Sequence, residues 1–84
     1  MTLSPMNGTS RVLTKAFGRV VSQARREAGW TQEELAHRAG VHRTYVGDLE
    51  NGRKSPTLDV VETLARAFGR PANELIAAAE ALGS

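Results

Sequence analysis

Residues 31–53 read TQEELAHRAGVHRTYVGDLENGR, and this stretch decides the fold. Thr31 is followed three positions later by Glu34, and this T-x-x-E capping box predicts that a helix begins here. Gly40 is expected to end that helix after about two turns, because glycine readily takes the positive φ of a tight turn. A second short helix follows over about 43–51. The stretch therefore predicts two short helices that meet at a tight turn.

The apolar residues of these two helices predict how they pack. Val46 and Leu49 are spaced to bind the second helix to the first, and Ala36 is small enough to let the helices cross closely. Two short helices joined in this way are typical of a helix-turn-helix, whose second helix enters the major groove of DNA. One face of the second helix is left free, and it carries His42, Arg43, Thr44, Gly47 and Asp48.

Three more helices are predicted, one before this pair and two after it. Apolar residues recur at i, i+3, i+4 and i+7 in helix one, over about 13–28, and again in helix four, which Thr57 caps. Gly69 and Pro71 end helix four, and helix five follows over about 72–82. Strand-type alternation is absent, so the expected fold class is all-α, a compact bundle of five helices.

Length and composition agree with one small domain. The sequence predicts a flexible tail over residues 1–12, which lack an apolar period, and a single domain over residues 13–84. A chain of 84 residues has a thin core, so a partner subunit is expected. There is no cysteine, which excludes disulfides and cysteine-ligated zinc and fits a reducing, cytoplasmic location. No apolar run has the length of a membrane span, and no signal peptide is predicted.

The charge is distributed unevenly along the chain. Residues 1–56 carry nine Lys and Arg against five acids, a net charge of +4, whereas residues 57–84 carry two against four, a net charge of −2. A basic half joined to an acidic half favours a polyanion as the partner of the first half. Ordinary variation in surface charge is the alternative explanation of this difference.

The same motifs resemble a known family. Residues 32–40 follow the pattern Q-x-x-L-A-x-x-A-G, and L-E-N-G-R at 49–53 and P-x-L at 56–58 follow at the right distances. This combination resembles the lambda-repressor and Cro family, also called the XRE type, over about residues 13–77. The resemblance implies a five-helix domain that binds DNA as a homodimer. The stretch HRTYV at 42–46 looks most like the controller proteins of restriction–modification systems, with Cro-like repressors and antitoxin-type autoregulators left open.

The resemblance also implies roles for single residues. Arg43 and Thr44 occupy the base-reading positions, and an arginine is suited to guanine O6 and N7. His42, Gly47 and Asp48 share their face and are further candidates for reading bases. The predicted phosphate contacts, which set affinity and register, are Gln32, Asn51, Arg53, Lys54, Lys15 and Arg19. Gln32 is also expected to brace Arg43, while Lys15 and Arg19 have the alternative of a solvated face of helix one.

Helix five is the predicted dimer seam, because its apolar residues are expected to be exposed unless a second copy covers them. These residues are Leu75, Ile76, Ala79 and Leu82. A two-fold dimer implies a palindromic operator of double-stranded DNA. No small-molecule effector, cofactor or metal is expected, because the sequence offers no sensor domain and no set of ligands.

Several residues have a second interpretation. Gly47 costs about 1 kcal/mol in mid-helix relative to alanine, which close approach to DNA would explain, as would crowding against helix one or four. His42 is either a DNA contact or a surface residue. Trp30 is expected to pack rather than stack on bases, and Arg38 to be solvated.

The sequence also bears on two other classes of function. An antitoxin or adaptor would use helix five to bind another protein, with DNA binding secondary. An enzyme is not expected, because no nucleophile and base are paired. The glycines around Lys54 lack the spacing and the preceding strand of a phosphate-binding loop.

Overall fold

The computed structural model describes residues 11–83, and within them it has five helices and no strand. The helices are α1 (Arg11–Glu27), α2 (Gln32–Ala39), α3 (Arg43–Glu50), α4 (Leu58–Phe68) and α5 (Ala72–Gly83). The predicted all-α fold of five helices is therefore confirmed. The first helix begins two residues before the predicted start, and the rest of the predicted tail, residues 1–10, lies outside the described residues.

The helix boundaries follow from local chemistry. Thr31 Oγ1 accepts a hydrogen bond from the Glu34 amide at 3.0 Å, and Glu34 Oε1 accepts one from the Thr31 amide at 2.8 Å, which completes the predicted capping box. Thr57 caps α4 through its hydroxyl in the same way. Gly40 and Gly69 close α2 and α4 with φ values of +72° and +69°. Only glycine takes this conformation without strain, so both helices end where the sequence predicts.

The core draws at least one side chain from each helix. Among the described residues, seven apolar side chains are less than 2% exposed, and they are Val21, Leu35, Val46, Leu49, Leu64, Leu75 and Ala79. Phe17, Val20 and Ala24 of the predicted stripe on α1 are also buried. Ala28, predicted on the same face, is exposed because α1 has already ended at Glu27.

A stack of three side chains joins the ends of α2 and α4. The rings of Trp30 and Phe68 are stacked with centroids 5.6 Å apart, and the Arg38 guanidinium lies 4.3 Å from the centroid of Trp30. Trp30 therefore packs inside the domain, as predicted. Arg38 is exposed, as expected of a solvated residue, and it also makes a cation–π contact that the sequence did not predict.

The prediction for helix five needs a correction. Leu75 and Ala79 are 0% exposed in the single chain, so the prediction that they are exposed until a second copy covers them is wrong. The reason is that α5 lies along α1, with Gly83 near Val12, and its inner stripe closes the core. Among the described residues, no helix has the length and apolarity that a membrane span requires.

Candidate nucleic-acid interface

The two helices of the quoted stretch are held together by a short turn. Gly40 leads into this turn, and the Val41 amide donates to the Ala36 carbonyl at 3.0 Å. His42 then stands at the N-cap of α3 but makes no capping hydrogen bond with its side chain. Val46 and Leu49 face inward and are completely buried. The remaining face of α3 is therefore turned to the outside.

This outer face of α3 carries four of the five predicted base-reading residues, and the fifth, His42, precedes the helix at its N-cap. His42, Arg43 and Thr44 are exposed, and Gly47 and Asp48 are half-buried. A shallow groove of about 270 Å³ runs over this face. Residues from α2, from α3 and from the following loop line the groove, and they are Gln32, Arg43, Thr44, Gly47, Asp48, Asn51 and Arg53. The structure thus brings base-reading candidates and phosphate candidates onto one surface, which we call the reading face.

Gly47 lies on the reading face without any steric need for glycine. A Cβ atom built there would meet only Gln32 Oε1, at 3.9 Å. Crowding against helix one or four is therefore wrong as its explanation. Gly18 of α1, in contrast, is crowded, because its Cβ would collide with the carbonyl oxygen of Leu49. Gly18 lets α1 touch the end of α3, while Gly47 leaves the backbone of α3 open on its outer side.

A nearly buried ion pair fixes the end of α3. Arg25 Nε lies 2.7 Å from Glu50 Oε2, and the two side chains are only 12% and 6% exposed. Arg25 also donates to the other carboxylate oxygen, at 3.2 Å, and to the carbonyl of Trp30, at 2.8 Å. The hydrogen bond with Glu50 raises the pKa of Arg25 above its usual value, while burial acts in the opposite direction. This pair ties α1 to the beginning of α2 and to the end of α3.

Gln32 belongs to the same network. Its Nε2 atom donates to Glu50 Oε1 at 3.0 Å, so Gln32 braces Glu50. The predicted support of Arg43 by Gln32 stays a prediction. The amide orientation follows from chemistry, since a carboxylate can only accept. Gln32 Oε1 is then directed towards Gly47, which places an acceptor on the reading face.

The phosphate candidates differ in how they are held. Asn51 Nδ2 donates to the carbonyl of Gly47 at 2.8 Å. Arg53 Nη1 lies 3.6 Å from Asp48 Oδ1, and the arginine side chain is 69% exposed. Such an exposed pair contributes at most about 1 kcal/mol, so Arg53 is free to turn towards another anion at little cost. Lys54, in the loop that follows α3, and Lys15, on α1, are also exposed.

Arg19 lies apart from the reading face. It lines a cleft of about 710 Å³ between α1 and the helix-turn-helix, together with Arg26, Gln32 and Asn51. The cleft therefore joins a basic side of α1 to two of the phosphate candidates. Within residues 11–83, no group of three His, Asp or Glu side chains is arranged to hold a metal ion.

Sequence reasoning missed three residues of this architecture. Arg25 and Glu50 are 25 residues apart, and Gly18 meets Leu49 of another helix, so no local pattern revealed these contacts. The available signals were Glu50 inside the L-E-N-G-R motif and a glycine in the middle of an amphipathic helix. Both signals can be interpreted only when it is known which helices are in contact.

Comparison with known proteins agrees with this geometry. A family model described as helix-turn-helix matches residues 21–75. An uncharacterised helix-turn-helix transcriptional regulator of Methanothermobacter thermautotrophicus is 49% identical over 51 residues, 61% of this chain and 74% of that protein. The control protein C.BamHI of Bacillus amyloliquefaciens is 36% identical over 61 residues, 71% of this chain and 75% of that protein.

The fold is also similar to that of a solved structure. The crystal structure of the restriction–modification controller protein C.AhdI from Aeromonas hydrophila superposes with a TM-score of 0.70 at 36% identity, over 75% of this chain and 94% of that chain. The class is thus that of DNA-binding transcriptional regulators with a helix-turn-helix. Within that class, the chain belongs to the XRE-type helix-turn-helix family, and its relatives include controller and repressor proteins.

Proposed function

We propose that this regulator binds a palindromic operator as a homodimer, with α3 of each copy in the major groove. The observation that carries the proposal is the reading face, where Arg43 and Thr44 are exposed at the beginning of α3 and phosphate candidates surround them. A major groove about 12 Å wide accepts such a helix. Arg43 is assigned to a guanine, and Thr44, His42 and Asp48 to neighbouring base edges.

The phosphate contacts are assigned to side chains around the rim of this face. Lys54 and Arg53 follow the end of α3, and Asn51 and Gln32 line the cleft beside α1. Arg19 and Lys15 extend the same basic surface along α1. Contacts of this kind supply affinity that falls as salt concentration rises, whereas base contacts supply the preference for one sequence.

An exposed apolar surface supports the homodimer. Leu58 is 80% exposed and Leu13 is 45% exposed, and both line a groove of about 320 Å³ with Ile76. We call these three residues the seam. A two-fold axis would bring this surface against its own copy. Leu82, although 44% exposed, lines a different groove with Val20 and Arg70, so it is left out of the seam.

Similarity to two control proteins favours a controller role within this class. Regulation would then depend on the concentration of the protein itself, because association into dimers precedes tight binding. The expected half-sites lie about one helical turn, or about 34 Å, apart. Action in the cytoplasm is part of the same proposal.

Binding to DNA can be measured with duplexes that the protein itself selects from a random library. Fluorescence anisotropy with a selected duplex and a base-shuffled duplex, each at low and at high salt concentration, separates specific from nonspecific affinity. We expect the selected duplex to bind at least about 10³-fold more tightly than the shuffled one. Equal affinity for both duplexes at both salt concentrations would contradict a sequence-specific regulator.

The second candidate function is that of an antitoxin-type or adaptor protein. The 80% exposure of Leu58 favours it, because another protein could cover the seam instead of a second copy. A stoichiometric partner that is recovered with the wild-type protein from its native host, and lost with Leu58→Glu, would support this function. Self-association alone would support the homodimer.

A further inference from the structure

The first turn of α1 touches the loop over residues 52–55, which follows α3. Arg11 Nη2 donates to the carbonyl oxygen of Gly52 at 2.7 Å, and Thr14 Oγ1 lies 3.5 Å from Ser55 Oγ. Lys15 packs under Gly52, where an added Cβ atom would lie 2.8 Å from Lys15 Cγ. Residues 11, 14 and 15 are spaced at i, i+3 and i+4, so they lie on one face of α1. This face supports the loop over residues 52–55.

The loop that these residues support carries part of the proposed phosphate contacts. Arg53 and Lys54 follow Gly52 directly and are exposed. Gly52 itself is buried and has a φ of +72°, so its position fixes the direction in which the chain leaves α3. A displacement of Gly52 would therefore move both cations relative to the reading face.

The bond from Arg11 differs from the other contacts of the loop. A guanidinium that donates to a carbonyl at this distance forms a charge-assisted hydrogen bond, about twice as strong as a neutral one. It also places a positive charge at the C-terminal end of α3, where the helix dipole is negative and the last turn of α3 has no basic residue. Arg11 thus has a defined partner within the domain.

We propose that Arg11 is a positioning residue for DNA binding, which holds the 52–55 loop so that Arg53 and Lys54 meet the phosphate backbone. This inference rests on the proposed function. It differs from a direct contact, because in this role Arg11 acts on DNA only through the loop that its guanidinium holds at Gly52. The two roles predict different responses to salt, since each phosphate contact changes the slope of log K against log salt by about 0.9. A loop that is only loosened still places Arg53 and Lys54 on phosphates once DNA is bound, so the loss of Arg11 lowers affinity through the cost of ordering the loop and leaves the slope unchanged.

The test compares three variants on the selected duplex. Arg11→Met removes the hydrogen bond and the charge, Arg11→Gln keeps a donor without the charge, and Lys54→Gln removes a proposed phosphate contact. We expect Arg11→Met to lose about tenfold in affinity, the equivalent of about 1.4 kcal/mol, with an unchanged salt slope. Arg11→Gln should recover part of this loss. Lys54→Gln should lower the slope by about one.

Two controls separate positioning from other effects. Arg66→Gln removes an exposed charge from α4 and should leave the affinity within about twofold of wild type, since distant surface charges are screened by salt. Far-UV circular dichroism of each variant confirms that the domain is folded. A double-mutant cycle between Arg11→Met and Lys54→Gln should give a loss smaller than the product of the two single losses, because an ordered loop contributes less to binding when one of its two cations is missing.

The proposal is overturned by either of two results. A salt slope that falls by about one in both Arg11 variants would make Arg11 a direct phosphate contact. Wild-type affinity of Arg11→Met would show that the loop needs no support from α1. Failure of the proposed function is a separate outcome, since it would appear as wild-type protein that does not prefer its selected duplex.

Discussion

At the scale of single residues, two glycines have opposite roles although both lie inside helices. Gly18 is needed because any side chain would meet the backbone of α3 at Leu49 and Glu50. Gly47 has open space around it, so nothing within the domain explains its cost to helix stability. Close approach of the backbone of α3 to DNA remains the explanation that we propose for Gly47.

Gly47→Ala should therefore separate stability from binding. We expect the free energy of unfolding to rise by about 1 kcal/mol, because alanine is the better helix former. Affinity for the selected duplex should fall by about tenfold, or about 1.4 kcal/mol, if the added methyl group meets the DNA. Denaturant titration and anisotropy measure the two quantities on the same sample.

Gly18→Ala is the matched control for this substitution. It should lower the free energy of unfolding, because overpacking typically costs about 1–3 kcal/mol. A Gly47→Ala variant that keeps full affinity would show that the backbone of α3 does not approach DNA closely. A Gly47→Ala variant that is less stable than wild type would contradict the open space at this position.

At the scale of helices, the sequence predicted the ends of the helices better than it predicted their buried faces. Caps such as Thr31 and stops such as Gly69 act within a few residues, so helix ends could be read from local patterns. The buried face of α5 could not, because alanines on several sides of the helix blur its apolar stripe. Leu75 and Ala79 are on the inner side only because α5 lies along α1, and this contact joins residues far apart in sequence.

The same limit applies to the candidate site. The outer face of α3 followed from the spacing of Val46 and Leu49, which had to be buried. The network of Arg25, Glu50 and Gln32 did not follow from spacing, since it joins three helices. Local patterns therefore predict which residues are presented to a ligand, but the structure is needed to show what holds them in place.

Glu50→Gln tests the importance of this network. The nearly buried Arg25 would keep its charge but lose its counter-ion, so we expect a loss of about 3 kcal/mol in the free energy of unfolding. Glu62→Gln is a suitable control, because Glu62 is an exposed acid of α4 and should change stability by less than about 0.5 kcal/mol. Equal losses in the two variants, measured by urea unfolding, would show that the ion pair does not hold α1 to α3.

At the scale of the whole molecule, the uneven charge along the chain gains a spatial meaning. The reading face and its phosphate candidates belong to the basic half, residues 1–56, whose net charge is +4. The seam combines Leu13 of that half with Leu58 and Ile76 of the acidic half. The small core that suggested a partner subunit is accompanied by an apolar surface that a second copy could cover.

Leu58→Glu should break the proposed homodimer. Leu58 is 80% exposed, so a charge there leaves the fold of the single chain intact and repels a second copy across the seam. Leu82→Glu is the matched control, because Leu82 is exposed in another groove. Sedimentation velocity should show monomers for Leu58→Glu and dimers for Leu82→Glu, and the reverse result would move the seam. Leu75→Glu is unsuitable for this purpose, because it would place a charge in the core.

We propose that Arg43 on the outer face of α3 reads a base of the operator. The most direct measurement is the base preference of wild-type protein and Arg43→Ala, determined position by position by selection from a random duplex library, with Arg66→Ala as control. We predict a two-fold symmetric site for the wild type and a loss of about 1–3 kcal/mol of discrimination at one guanine in each half-site for Arg43→Ala, with the other positions retained. A preference that is unchanged at every position in Arg43→Ala would contradict the claim.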